Sequence, residues 1–217
     1  MMNENIFKHS NLYLIITHHL LLIYGIYEYG FNVWIALSLF AYTIFFSWII
    51  SFRVVHMRFS HTRYKDSVLN YFLTFIVLFS GFGSPLSFSS LHRLHHKYCD
   101  TERDPHSPKH IGWFRVYFLQ WNLENITPSI IRDYISSKFQ MFVHHNWIKI
   151  HLLLMIILWA IDPRLVIFIV SPIVASTLHY AGIINVRGHL YGEARDVPET
   201  ILIQPVSWRH KEHHGNF

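Results

Sequence analysis

The sequence predicts an all-α integral membrane protein in which four transmembrane helices carry a histidine-rich helical cap on the cytoplasmic side. The composition is the first reason: 52% of the 217 residues are hydrophobic and only 14% are charged, whereas a soluble domain carries about 25% charged residues. The second reason is histidine, which occurs 18 times, as often as lysine and arginine together. The third is position, because the histidine clusters lie just outside long apolar segments.

Four apolar segments are predicted to cross the membrane. A span needs about 20 apolar residues, with a range of roughly 17 to 25. The second and fourth segments reach this length, and we expect the shorter first and third to continue as helix into the interface. A fifth stretch, Tyr71–Phe82, is shorter and is interrupted near its end by glycine, which favours a buried or interfacial helix. The predicted spans are about 11–27, 31–50, 147–161 and 165–184.

The basic residues orient the predicted spans. Lysine and arginine are frequent in 51–146 and 185–217, whereas the two short loops on the other side carry only Arg164. An excess of these residues marks cytoplasmic loops. We therefore expect one domain, 1–217, with both termini and a cap of 51–146 and 185–217 on the cytoplasmic side. The basic residues form no run, so the net charge of +5 does not indicate a nucleic-acid partner.

Histidine motifs occupy four places beside the predicted spans. Two have the form HxxHH, in which the histidines at i, i+3 and i+4 share one face of a helix. The others are an HxxxxH and an NxxxH motif. A neutral imidazole is the commonest metal ligand in proteins and suits iron, zinc, copper and nickel. The candidate ligands are His56, His61, His92, His95, His96, Asn185, His189, His210, His213 and His214.

The spacing within these motifs favours two metal ions over one. His95 and His96 point about 100° apart on a helix and could serve different ions. His56 and His61 are five residues apart, which is about 140° around an α-helix. Either the helix ends between these two histidines, or each of them serves a different ion. The single cysteine, Cys99, excludes an internal disulfide and a thiolate-ligated iron–sulfur cluster.

The sequence resembles the membrane fatty acid desaturase family, particularly its acyl-CoA (stearoyl-CoA, delta-9-type) branch. Family members share an HxxxxH box, a box of the form HRxHHxxxDTxxDPHSP, and a final HNxHH box. The first is His56–His61, the second runs from His92 to Pro108, and the last reads His-Lys-Glu-His-His at 210–214. The family's HxGW and NxxxHxxG motifs appear at 110–113 and 185–192, and the resemblance covers about 31–214.

The resemblance implies an iron enzyme that uses O2. Nine histidines would ligate two irons, and Asn185 would approach one iron through a water. The activity implied is introduction of a cis double bond into a saturated acyl chain linked to coenzyme A or to a lipid. Electrons would come from a donor such as cytochrome b5 or ferredoxin, because the chain has no flavin or haem motif. The alternatives are a lipid hydroxylase of the same superfamily and a non-catalytic metal-binding membrane protein.

Several residues outside the ligand set also receive an interpretation. Asp104 and His106 are candidates to orient metal ligands. The acyl chain is expected to lie between the spans, beside Phe40 and Ile44. Histidines within the spans are interpreted as paired core residues and those at the ends of the spans as interfacial. The former are His18, His19 and His179, and the latter are His144, His145 and His151.

Overall fold

The computed structural model describes residues 4–42, 56–81, 83–120, 126–197 and 210–215, with side chains throughout except at 4–11 and 177–181. Within these ranges the regular structure is helical and no strand occurs. This confirms the all-α prediction for the described part of the chain. The α-helices are α1 Glu4–Tyr29, α2 Val33–Phe40, α3 Val68–Phe79, α4 Pro85–Tyr98, α5 Pro108–Ile111, α6 Trp113–Tyr117, α7 Arg132–Ile135, α8 Lys138–Ile161, α9 Pro163–Leu165, α10 Ser171–His189 and α11 His210–Gly215.

Helices α1 and α8 contain the first and third predicted spans, and the fourth, 165–184, begins at the end of α9 and continues through a π-helical segment into α10. Helix α8 begins at Lys138, well before the predicted start of the third span, because the Ser137 hydroxyl accepts the backbone N–H of Gln140 and caps the helix. It ends at Asp162, whose carboxylate in turn accepts the N–H of Arg164 at the start of α9. A π-helical segment, Val166–Val170, then joins α9 to α10. Helix α1 packs against α10 and against this π-helical segment.

Among the described residues, only α8 is both long and apolar enough to cross a membrane by length and composition. The second predicted span begins as α2, and its remainder at 43–50 lies outside the described residues, as does Ile44. The short stretch predicted at Tyr71–Phe82 forms α3, which is shorter than a span. Gly81 follows α3 with a φ of 65°, a left-handed conformation that favours glycine.

Helix α4 carries one HxxHH motif and starts with a capping box. The Ser84 and Ser87 side chains each accept the other's backbone N–H, and Pro85 occupies the first helical position. The Ser84 hydroxyl also contacts His144 Nδ1 of α8 at 2.9 Å. Helix α4 packs against α8 and against the 3-10 turn Pro128–Ile131. These contacts fix the helix that supplies ligands to both candidate metal sites.

Two histidines within the predicted spans form a buried pair. His18 Nε2 of α1 lies 3.4 Å from His151 Nε2 of α8. His18 Nδ1 contacts the Ser171 hydroxyl at 2.8 Å, and His151 Nδ1 donates to the Leu78 carbonyl at 2.8 Å. The structural interpretation of His18 is thereby supported, and His151, expected at the membrane interface, has a side chain that is fully buried in the protein. The side chain of His179 lies outside the described residues.

Candidate metal centre

Five histidines form a first cluster, whose candidate ligand nitrogens all lie within 4.8 Å of one another. His92 Nε2 lies 3.0 Å from both His61 Nε2 and His96 Nε2. His213 Nε2 lies 3.0 Å from His96 Nε2. The first cluster therefore joins the HxxxxH box, α4 and α11, and its members are His56, His61, His92, His96 and His213.

Four histidines form a second cluster beside the first. His214 Nε2 lies 3.3 Å from both His95 Nε2 and His210 Nε2. The ring of His189, at the end of α10, lies 4.6 Å from that of His95 and 4.7 Å from that of His210 between centroids. The second cluster thus consists of His95, His189, His210 and His214.

Each HxxHH motif divides its ligands between the two clusters. In α4, His92 and His96 face the first cluster, and His95 faces the second. In α11, His213 faces the first cluster and His214 the second. The clusters adjoin, because the rings of His96 and His214 stack with centroids 4.3 Å apart. The structure therefore separates neighbouring histidines as the helical spacing predicted.

The structure decides between the two alternatives that the sequence left open for His56 and His61. Residues 56–60 form a π-helical turn, and the helix ends immediately before His61. The chain leaves the helix between the two histidines, so the separation of about 140° on an α-helix does not apply to them. Both imidazoles consequently lie in the first cluster, with ring centroids 5.0 Å apart. On a regular α-helix the two side chains would point about 140° apart and could not share one cluster.

The histidines of the second cluster are held by acceptors behind their rings. His95 Nδ1 donates to Asp104 Oδ2 at 2.8 Å, and His189 Nδ1 donates to Asp100 Oδ2 at 2.8 Å. His210 Nδ1 donates to the backbone carbonyl of Arg195 at 3.0 Å. Such acceptors fix the tautomer and leave Nε2 free to ligate. Asp104 has the orienting position expected from the sequence, whereas Asp100 was not among the candidates, although the paired aspartates of the DTxxDPHSP box are a signal for it.

The loop after α4 is built around these two aspartates. Asp104 is 1% exposed, and it also accepts the backbone N–H groups of Asp100 at 2.8 Å and of His106 at 3.0 Å. Asp100 has a φ of 58°, and its backbone carbonyl accepts His110 Nε2–H at 3.0 Å. The His106 ring lies 4.0 Å from the His95 ring between centroids. His106 thus packs behind the second cluster, where the sequence predicted an orienting role.

Two further predicted or candidate residues lie beside the second cluster. Asn185 lies one helical turn before His189 on α10 and is partly buried, and its water-mediated role stays a prediction. Cys99 Sγ lies 3.7 Å from His189 Nδ1 and 3.5 Å from Asp100 Oδ2. Cys99 Sγ also lies within 4.8 Å of candidate ligand atoms of His95, His189 and His214.

Burial favours the neutral form of several of the clustered imidazoles. Desolvation, reinforced by the neighbouring histidines, lowers the pKa of His56, His92 and His95 well below the usual value. Desolvation also lowers the pKa of His61 to about 3 and that of His213 to about 4. The neutral imidazole is the form that binds a metal ion. The surroundings therefore hold the ligands in their binding state at neutral pH.

The geometry fits metal ions better than hydrogen bonds alone. His189 Nε2 and His56 Nδ1 are buried and have no hydrogen-bond partner among the described residues, and such a group costs about 1–3 kcal/mol. Nitrogen ligands about 2.0–2.1 Å from an ion lie about 2.9 Å apart at 90° and about 3.4 Å apart at the tetrahedral angle. The nitrogens of the two clusters are separated by 3.0 and 3.3 Å. An ion in each cluster would satisfy these nitrogens together.

The fold and this site define a class, a helical protein with two adjoining polyhistidine clusters. Several known desaturases are similar to this chain in sequence. The chain is 29% identical over 168 residues to an acyl-CoA C20 Delta5-desaturase of Anemone leveillei, covering 70% of this chain and 53% of that protein. It is 25% identical over 187 residues to a chloroplastic palmitoyl-monogalactosyldiacylglycerol delta-7 desaturase of Arabidopsis thaliana, covering 82% of this chain and 50% of that protein. It is 29% identical over 180 residues to the delta-9 desaturase-like 1 protein of the same plant, covering 74% and 58%.

These relatives confirm the predicted resemblance: the chain is a homologue of the fatty acid desaturases, with delta-9-type proteins among its relatives. No family model matches the chain. The chain spans about half the length of the curated relatives it matches, between 50% and 58% of the three named above.

Proposed function

We propose that this chain is an integral membrane oxidoreductase that introduces a cis double bond into a saturated acyl chain, using two irons and O2. The observation that carries the proposal is the convergence of nine histidines into two adjoining clusters in a homologue of the desaturases. Iron is preferred over the other metals that imidazole suits because of this homology.

The clusters define the role of each proposed ligand. The first iron would be held by His56, His61, His92, His96 and His213, and the second by His95, His189, His210 and His214, with Asn185 reaching the second through water. The irons would supply the one chemistry that side chains cannot, activation of O2 for attack on an unactivated methylene. The protein holds the imidazoles neutral, orients the second set through Asp100 and Asp104, and buries the site.

The arrangement in the membrane follows from the clusters. His61 precedes α3 and His92 follows it, and their Nε2 atoms lie 3.0 Å apart, which supports our proposal that α3 starts and ends on the same side of the membrane. Helices α1 and α8 expose apolar side chains such as Leu20 and Ile156, which are 60% and 66% exposed and suit lipid. These features support four spans, with the single domain, both termini and the metal site on the cytoplasmic side.

An apolar cavity between the spans suits an acyl chain. It has a volume of about 430 Å³, and Phe40, predicted from the sequence to line the acyl site, forms part of its wall. A saturated hydrocarbon tail needs no polar partner, and the wall is almost entirely hydrocarbon. The substrate would be acyl-CoA or acyl-lipid, with electrons delivered by a ferredoxin or cytochrome b5. The cavity is lined by Leu37, Phe40, Ala41, Phe79, Leu158, Leu165, Ile169, Val170 and Ile173.

Product analysis tests the proposal. The full chain is expressed in membranes with iron and a reductant, and acyl products are examined by mass spectrometry with location of the double bond. We expect monounsaturated products that disappear in His95→Ala and persist in His145→Ala, a matched control because His145 is exposed and bonds to the Met141 carbonyl of its own helix. Hydroxylated products would identify the hydroxylase instead, and bound iron without any product would identify a non-catalytic metal protein.

A further inference from the structure

Arg93 lies between two candidate ligands of α4 but contacts the HxxxxH segment instead of either cluster. Its Nε–H donates to the Ser60 carbonyl at 2.8 Å, and an Nη2–H donates to the Thr62 carbonyl at 2.8 Å. These two carbonyls flank His61 in the chain. A single guanidinium therefore forms hydrogen bonds to the backbone on both sides of His61, one candidate ligand of the first cluster.

Asp133 of α7 holds that guanidinium in place. The carboxylate accepts Nη1–H at 2.7 Å and Nη2–H at 2.9 Å, a two-pronged geometry that fixes the plane of the group. Asp133 Oδ2 also accepts the backbone N–H of Tyr64 at 2.6 Å, and the Ile130 carbonyl takes another Nη1–H at 3.0 Å. The arginine and aspartate side chains are only 19% and 8% exposed, so water screens this pair weakly.

The HxxxxH segment needs hydrogen-bond donors from other segments because its helix ends early. The π-turn at 56–60 stops before His61, and no regular structure follows until Val68. The last carbonyls of a helix have no partner within it. The Phe59 carbonyl accepts the Tyr134 hydroxyl at 2.7 Å and the Ser89 hydroxyl at 2.9 Å. Arg93 supplies the corresponding donors for the next carbonyls along the chain.

We propose that Arg93 is the positioning residue of the first cluster. Its contacts tie the HxxxxH segment to α4, and they thereby keep His61 Nε2 beside His92 Nε2 so that both can share one ion. None of the Arg93 contacts described above involves a residue of the second cluster. This inference rests on the proposed function, because it assumes that each cluster holds a metal ion.

Iron binding by Arg93→Lys tests the inference. Lysine keeps the charge but cannot grip two carbonyls and a carboxylate at once. The full chain, in detergent and without oxygen, is titrated with iron(II) against a competing chelator, and bound iron is examined by metal analysis and Mössbauer spectroscopy. We expect the affinity of the first cluster to fall roughly ten- to a hundredfold, as for other residues that orient ligands. The second cluster keeps its iron.

The matched control is Arg164→Lys. Arg164 forms the same kind of fork, with Asp162 Oδ2 2.6 Å from Nη2, but it lies in the short helix α9, far in sequence from every candidate ligand. We expect this variant to bind two irons with unchanged affinity. Asp133→Asn, which weakens the fork while keeping its shape, should lower the affinity of the first cluster alone by a smaller factor.

The outcomes separate the inference from the proposed function. If Arg93→Lys binds both irons as tightly as the unmodified chain, Arg93 does not position the first cluster. If it loses both irons together with helical circular dichroism, and Asp133→Asn loses them equally from both clusters, Arg93 is a general structural residue and the inference is again wrong. If the unmodified chain itself binds no iron, the proposed function fails before this question arises.

Discussion

The two histidine clusters adjoin, yet the protein builds them in different ways. In the second cluster, three histidines are oriented by acceptors directly behind their rings, namely the carboxylates of Asp104 and Asp100 and the carbonyl of Arg195. In the first cluster, the HxxxxH segment is fixed through its main chain by Arg93. The comparison teaches that a ligand can be placed by orienting its ring or by fixing its backbone.

The difference follows from where the ligands lie along the chain. His95 and Asp104 are separated by one short loop, so a carboxylate near the end of α4 reaches the ring directly. The HxxxxH segment is joined to α4 only through α3, and its helix stops before His61. Carbonyls at the end of a helix that lack a partner within it need donors from elsewhere. We therefore expect a substitution behind the second cluster to change the orientation of one histidine ring. A substitution at Arg93 or at its partners should instead shift the whole HxxxxH segment.

The largest effect is expected from Asp104→Asn. One carboxylate oxygen accepts both His95 Nδ1–H and the Asp100 N–H, and the other accepts the His106 N–H. Whichever way the amide turns, its NH2 group faces at least one of these donors. An unsatisfied buried donor costs about 1–3 kcal/mol, and we expect iron affinity at the second cluster to fall roughly ten- to a hundredfold. Thermal unfolding and iron titration measure the two effects.

Asp162→Asn is the control for that variant, because Asp162 caps α9 in the loop between α8 and α9. It should leave iron binding unchanged. An equal loss of iron from both clusters in Asp104→Asn would show that the second cluster has no orienting shell of its own.

A smaller effect on the same cluster is expected from Gly188→Ala. A methyl group at Gly188 would lie 2.6 Å from His210 Cε1 and 2.7 Å from His210 Nδ1, so the ring must leave its bond to the Arg195 carbonyl. We expect roughly a tenfold weaker iron affinity at the second cluster, within the range typical of such changes. Gly215→Ala is the control, since a methyl there meets nothing within 4 Å. Unchanged iron binding in Gly188→Ala would mean that His210 is not a ligand.

The smallest effect is expected from Tyr134→Phe, which removes one of the hydrogen bonds that hold the HxxxxH segment of the first cluster. The Tyr134 hydroxyl donates to the Phe59 carbonyl at 2.7 Å, but the Ser89 hydroxyl still reaches the same carbonyl. Loss of one hydrogen bond should lower the free energy of unfolding by about 1 kcal/mol, with iron affinity reduced only at the first cluster. Chemical denaturation with iron titration checks this result. A loss of iron affinity confined to the second cluster would contradict the assignment of this hydrogen bond to the first cluster.

The parts of this centre that could be predicted from the sequence are those that depend on local spacing. The i, i+3, i+4 pattern of His92, His95 and His96 predicts both their convergence and their division between clusters, because helical geometry alone decides it. The extension of α8 beyond the third apolar segment agrees with the expectation that this short span continues as helix, and Ser137 followed by Gln140 at the third position is the capping signal that marks its start. Helical spacing and capping signals are therefore sufficient to predict these local features of the centre.

The remaining parts depend on contacts between distant segments. The π-turn at 56–60 is stabilised by donors from Arg93, Ser89 and Tyr134, which are 30 to 75 residues away in sequence. The role of Asp100 depends on a left-handed backbone conformation at a non-glycine residue. No pattern in a single sequence fixes the contacts of the π-turn, whereas the paired aspartates of the DTxxDPHSP box are a signal for Asp100.

Iron stoichiometry tests the convergence of the histidines into two sites most directly. The full chain is loaded with iron(II), and iron is counted in the unmodified protein, in His61→Ala of the first cluster and in His189→Ala of the second. We expect two irons per chain in the unmodified protein and one in each variant. A single iron in the unmodified protein, or a variant that loses both irons or neither, would contradict the division into two centres.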